Sequence, residues 1–150
     1  MQLEPLLRNT CLAFVLYGLT ACGEIYTDVA RDAYEKGDYV TAAKWFAKAC
    51  EEKETESCRY LAEMYLRGQG IKQSIPQAAK FFRKACDGDD ATSCAVLGAL
   101  YFAGKDIRKD HTMAKEYFGR ACDLGDEDAC DMYKNYNIAR FALPILESLK

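Results

Sequence analysis

Cysteine is the residue type whose number and spacing could do chemistry in this chain. Eight cysteines in 150 residues are too many for an ordinary cytosolic protein unless the thiols bind metal, exchange electrons or pair. Six of them repeat: Cys50, Cys86 and Cys122 stand 36 residues apart, and so do Cys58, Cys94 and Cys130, so each copy is a Cys-x7-Cys. A separation of eight suits a disulfide between the last turn of one helix and the first turn of an antiparallel successor. There the Cα atoms can come within roughly 4.4 to 6.8 Å. Closing so short a loop stabilises by about 2 to 3 kcal/mol per bridge in the chain-entropy picture. Three other uses compete. Structural zinc favours ligand spacings of two to four residues and offers no second ligand type beyond the single His111. Redox catalysis favours Cys-x-x-Cys. Free core thiols are the third, set against the fact that both members of every pair recur together.

Cys11 and Cys22 stand outside the repeat. Residues 11 to 21 form a short uncharged apolar run after Arg8, the length of a signal-peptide core and too short to span a membrane. The run ends in Leu19-Thr20-Ala21-Cys22, which resembles the bacterial lipoprotein box. On that reading residues 1–21 are a removed leader that takes Cys11 with it, and residues 22–24 are a lipidated N-terminus attached through Cys22. A cleaved leader without lipid and an N-terminal helix with Cys22 in its core are the alternatives. Export to an oxidising compartment agrees with the disulfide reading.

Other chemistries find little support. Ser57, Ser74 and Ser93 are followed at the third position by Tyr60, Gln77 and Val96, so the Ser-x-x-Lys arrangement of a serine β-lactamase is missing. Asp126, Glu127 and Asp128 fall in a turn spacer and read as a solvated surface, as does His111 beside Asp110. No catalytic residues, metal ligands or cofactor are therefore expected. A net charge of -3 with scattered lysine and arginine gives no basic face for nucleic acid.

The elements that must position the cysteines show in the apolar spacing. Ala42, Trp45, Phe46 and Ala49 lie at i, i+3, i+4 and i+7, as do Ala78, Phe81, Phe82 and Ala85, and again Cys58, Leu61, Ala62 and Tyr65 on the second helix. Gly68 and Gly104 mark helix C-termini, Ser74 and Asp110 mark N-caps, and Pro76 suits a first helical turn. The chain is thus expected to be all-α, an α-solenoid of about three and a half TPR-like αα-hairpins with period 36, each closed by a disulfide. The repeat domain should span 25–137, starting near Ile25. Residues 138–150 should form a C-terminal capping helix that Pro144 ends or kinks.

The segments Cys94-Ala95-Val96-Leu97-Gly98-Ala99-Leu100-Tyr101-Phe102-Ala103-Gly104 and Ala78 to Cys86 carry a pattern that resembles the Sel-one-like repeat. With a Cys-x7-Cys in each unit, the chain is similar to the Helicobacter cysteine-rich protein (Hcp) family over residues 25 to 137. It departs where Gly70 becomes Asp106, and where Lys134 and Asn137 replace a small residue and a tyrosine. The resemblance implies two functions: an adaptor that binds a peptide or protein on its concave face, or a weak β-lactamase that meets a β-lactam or a peptidoglycan fragment. For the adaptor, the repeat leaves three i, i+4 pairs variable on the second helices, and these form the candidate ligand face: Arg59 and Glu63, Ala95 and Ala99, Asp131 and Asn135. The expected protein is a monomer in the periplasm, on the outer membrane through the N-terminal lipid, or secreted. Reduction should raise the mass of the domain by about 6 Da if three disulfides exist, two hydrogens per bridge; an unchanged mass refutes them.

Overall fold

The computed structural model describes residues 22–136. The expected leader with Cys11 and the expected capping helix 138–150 lie outside the described residues. Within them every regular element is a helix. Three belong to a first unit that ends at Gln73: α1 (Cys22–Glu35), α2 (Tyr39–Glu51) and α3 (Thr55–Arg67). A second unit starts at Ser74 and holds α4 (Ile75–Asp87), α5 (Ala91–Ala103), α6 (His111–Asp123) and α7, helical over 127–136.

All three expected disulfides form, Cys50–Cys58, Cys86–Cys94 and Cys122–Cys130, with Cα separations of 4.7, 4.8 and 4.5 Å. The backbone explains why the spacing is eight. After each first helix one residue turns left-handed, Lys53 (φ 68°), Asp89 (φ 65°) and Gly125 (φ 96°), and these three positions are themselves 36 apart. The next residue reaches back, so that the N–H groups of Glu54, Asp90 and Asp126 donate to the carbonyls of Ala49, Ala85 and Ala121 at 3.1, 3.1 and 3.0 Å. The carbonyls of Glu54, Asp90 and Asp126 then accept from Cys58, Cys94 and Cys130, which is the first bond of the second helix. In the first copy a C-cap residue, Glu52, and one left-handed residue, Lys53, separate the end of α2 from the N-cap Glu54.

The caps differ in quality. Asp90 accepts from the Ser93 N–H at 2.6 Å and Asp126 from the Ala129 N–H at 2.8 Å. Glu54 makes no side-chain cap bond; its longer side chain lies against Gly23 instead, where a Cβ would come within 2.4 Å of the Glu54 Cγ. Burial, with Glu24 and Glu56 nearby, pushes the Glu54 carboxyl above the usual carboxylate range. Within the described residues Cys22 and Gly23 are buried in α1.

The wider loops follow their expected punctuation. Gly68 (φ 71°) and Gly104 (φ 67°) close their helices left-handed, Ser74 accepts from the Gln77 N–H, and Asp110 from those of Thr112 and Met113. Pro76 sits in the first turn of α4. Gly70 and its register mate Asp106 are both left-handed, at φ 69° and 57°, so the substitution keeps the turn; aspartate tolerates this region better than most residues. Gly70 has a second reason to lack a side chain, as a Cβ would meet the Tyr39 carbonyl carbon at 2.4 Å.

In the first unit Ala42, Phe46, Ala49 and Ala30 are wholly buried between α1 and α2. Trp45 stacks on Tyr26 with ring centroids 5.6 Å apart, and Phe46 stacks on Tyr60 at 5.0 Å, tying α2 to both neighbours. Thr27 of α1 and Ser57 of α3 share a buried 2.7 Å hydrogen bond. In the second unit Gly98 lets α5 approach α6, its absent Cβ leaving 3.0 Å to the Phe118 ring. Phe81 departs from the expected inward stripe. It is only half-buried, with the ammoniums of Lys80 and Lys84 over its ring at 5.8 and 5.5 Å, a cation–π arrangement.

Two stability measurements test these local causes. Lys53→Gly should stabilise and Gly125→Ala should destabilise, each by about 0.5 to 1 kcal/mol, because only glycine occupies the left-handed region without a Cβ penalty. Equal melting temperatures for wild type and both variants would refute the turn argument. Glu54 has a folded pKa above its unfolded one, so its favourable contribution is complete below about pH 4 and is lost as pH rises through the folded value. Glu54→Gln should therefore melt above wild type at pH 7 and level with it at pH 3; a constant difference across that range would disprove the link.

Candidate functional site

A cluster of polar and aromatic side chains collects on the second unit where α4, α5 and α6 meet. Arg83 is exposed at the middle of α4, and its guanidinium donates from Nη2 to the Tyr101 hydroxyl of α5 and reaches the Tyr117 phenol of α6. The two tyrosine rings stack at 5.7 Å, almost coplanar at 4°. The Arg120 guanidinium lies 5.8 Å from the Tyr117 ring centre. It donates to the Asp87 carboxylate at 3.1 Å and to the Cys86 carbonyl at 2.9 Å, so the cluster is bolted to the end of α4 that carries the disulfide. Burial pushes the Tyr117 phenol above the ordinary tyrosine range against the opposing pull of Arg83, which keeps the phenol protonated.

Arg83 is distinctive for what holds it. Among helix-borne arginines of the described residues, Arg31 faces Asp28 and Glu56, Arg59 and Arg67 face Glu63, and Arg120 faces Asp87. The partners of Arg83 are phenols. This cluster escapes a reading confined to the second helices. The signal was present in the register all the same: Arg83 stands where the other two copies have Ala47 and Gly119.

The six residues expected to form a ligand face are divided between the two units. Arg59 and Glu63 lie in the first unit and pair with each other at 3.1 Å, both side chains largely covered, and the Arg59 guanidinium stacks 4.7 Å over the Tyr60 ring. In the second unit Ala95 is half-buried and Ala99 exposed on α5, while Asp131 and Asn135 are exposed on α7, Asp131 lying 3.7 Å from the Lys134 ammonium.

The remaining candidates have structural duties. Ser57 and Ser93 are completely buried and Ser74 is an N-cap. Asp126 caps α7, with exposed Glu127 and Asp128 in its first turn. His111 is exposed and its Nδ1 bonds the Tyr136 hydroxyl. Cys22, the expected lipid site, is buried at the start of α1. Among the described residues no group of three or more His, Cys, Asp or Glu is arranged to hold a metal ion, and no helix is long and apolar enough to cross a membrane.

Repeated helical hairpins with a cystine across each joint define a disulfide-stapled α-hairpin repeat protein. The Sel1 repeat pattern matches residues 28–53, 55–90 and 91–126, and the chain belongs to the Sel1 repeat family. Sel1 repeat proteins are scaffolds of protein–protein interaction. Among solved structures it is similar to Helicobacter pylori cysteine rich protein B, at 36% identity and TM-score 0.58, over 61% of this chain and 68% of that one. It also resembles a Sel1 repeat protein from Oxalobacter formigenes (27% identity, TM-score 0.66, 74% of this chain and 47% of that one). A third is a protective antigen of uropathogenic Escherichia coli displaying an SLR fold (26% identity, TM-score 0.70, 89% of this chain and 28% of that one). No curated protein matches at comparable significance.

The three cystines are not equally sheltered. The first two have every sulfur-bearing residue at most 4% exposed, whereas Cys122 and Cys130 are half-buried. Brief reduction followed by alkylation should label Cys122 and Cys130 before the other four, since thiol exchange needs access to a sulfur. Simultaneous labelling of all six would contradict the ordering.

Proposed function

We propose that the chain is an exported interaction scaffold that binds a peptide or protein segment on the concave side a stack of such repeats presents. Its membership of the Sel1 repeat family carries this reading, and the three cystines add the compartment, because disulfides persist where the surroundings are oxidising. Export through removal of residues 1–21 accounts for both Cys11 and Cys22. The mature protein then begins at Cys22, is tethered through lipid on that thiol to the outer membrane or released into the periplasm or medium, and acts as a monomer. Residues 25–137 form its binding domain and 138–150 its cap.

The proposal is tested by crosslinking the mature domain to an envelope extract with and without prior reduction. A protein crosslinked only to the oxidised domain supports the scaffold, and no specific partner under either condition opposes it. Radiolabelled fatty acid should enter wild type and not Cys22→Ala; an unlabelled wild type ends the tether. A chromogenic cephalosporin should be hydrolysed no faster than in buffer, and turnover lost on a point mutation would favour the β-lactamase function instead.

A further inference from the structure

The cluster around Arg83 offers donors and almost no acceptors. Both phenol oxygens lie against the guanidinium, and Tyr101 accepts from it, so each hydroxyl keeps its own proton to donate, polarised by the cation beside it. A guanidinium has five N–H groups in a flat fork; Arg83 is exposed, and its side-chain bonds run to phenols and not to a carboxylate. The negative groups nearby are Asp87, held by Arg120 at 3.1 Å, and Glu116, exposed on α6. Arg83 and Arg120 are balanced by Asp87 and Glu116, so the patch is neutral, and what it offers an anion is the fork of Arg83, which bonds a phenol and no carboxylate, beside a pair of stacked aromatic rings.

We propose that Arg83, with the hydroxyl of Tyr101, is a docking point for a carboxylate of the bound peptide, either its terminal α-carboxylate or an aspartate or glutamate side chain, with buried Tyr117 backing the guanidinium. A carboxylate matches the fork of an arginine with two parallel bonds and accepts the Tyr101 phenol proton as well. Arg120 acts as a positioning residue: it packs against Tyr117 and neutralises Asp87, which would otherwise repel the ligand. This rests on the scaffold reading and names the chemistry of its partner.

The test follows the amide and arginine signals of the oxidised domain by NMR during titration with three probes. These are N-acetyl-trialanine with a free carboxylate, its C-terminal amide, and N-acetyl-Ala-Glu-Ala amide. The first or third should shift the Arg83 and Tyr101 signals saturably, and which of them does so identifies the source of the carboxylate; the plain amide should not. Arg83→Gln should weaken that binding at least tenfold, Tyr101→Phe should weaken it less, Arg83→Lys should retain part of it, and Arg67→Gln on the first unit should match wild type. Helical circular dichroism and the mass of three intact cystines confirm folding, and Tyr101→Phe decides the matter if Arg83→Gln fails to fold. Equal binding of the amide, undiminished binding by Arg83→Gln or Tyr101→Phe, equal competition by inorganic phosphate, or no saturable shift overturns the proposal. If Arg83→Gln still captures the crosslinked partner at wild-type yield, the scaffold stands and only the docking point falls.

Discussion

A cystine between residues eight apart can close only if the chain reverses within the seven residues between them, and nearly everything else in this molecule is arranged around that reversal. The first helix must stop at a fixed place, one residue must take positive φ, and the next must start a helix whose first hydrogen bond ends on the second cysteine. Three copies meet the condition with the same bonds and three different left-handed residues, Lys53, Asp89 and Gly125. Lysine is a poor occupant of that region, and the disulfide holds the turn where local propensity alone would leave it weak. This is how a short run of hairpins reaches a stable fold: each bridge adds an amount comparable to a sizeable fraction of the roughly 5 to 15 kcal/mol that a domain has in all.

Once the joints are fixed, most first-helix positions are committed. The alanines at 42, 78 and 114 and the aromatic residues at 46, 82 and 118 are buried at 3% exposure or less in every copy. Ser57 and Ser93, one residue before the second cysteine, are buried in both copies that have them, and α7 carries buried Ala129 there. Position 83 differs from its register mates: it carries an exposed arginine where the first copy has Ala47 and the third has Gly119, at which a Cβ would come within 3.1 Å of the Tyr133 ring. It is there that α4 places a cation on two phenols, so the scaffold and the candidate binding chemistry occupy different positions of one repeat.

The period, the hairpin joints, the glycine C-caps and the Ser74 and Asp110 N-caps were all legible in the sequence, because each depends on residues within a few positions of one another. Which charged side chains meet which partners was not. Arg59 and Glu63 sit at variable register positions, yet at i and i+4 on a helix opposite charges satisfy each other first, and the structure pairs them. Arg83 carried a signal, a charged residue where its copies are small, but its meaning needed Tyr101 and Tyr117 from two other helices.

The sequence by itself determined that the chain is a helical repeat, where the wide loops cap their helices, and which cysteines pair. These follow from a periodicity and from local turn chemistry, and a repeat writes both several times over. The tertiary structure alone decided that Glu54 packs against Gly23 instead of capping its helix, and that Phe81 is half-exposed while Trp45 and Tyr117 are buried. It alone also decided that Arg83 hydrogen-bonds a tyrosine hydroxyl where the other helix-borne arginines pair with carboxylates. Burial and charge partnership are properties of surfaces assembled from distant segments, and spacing along the chain does not encode them.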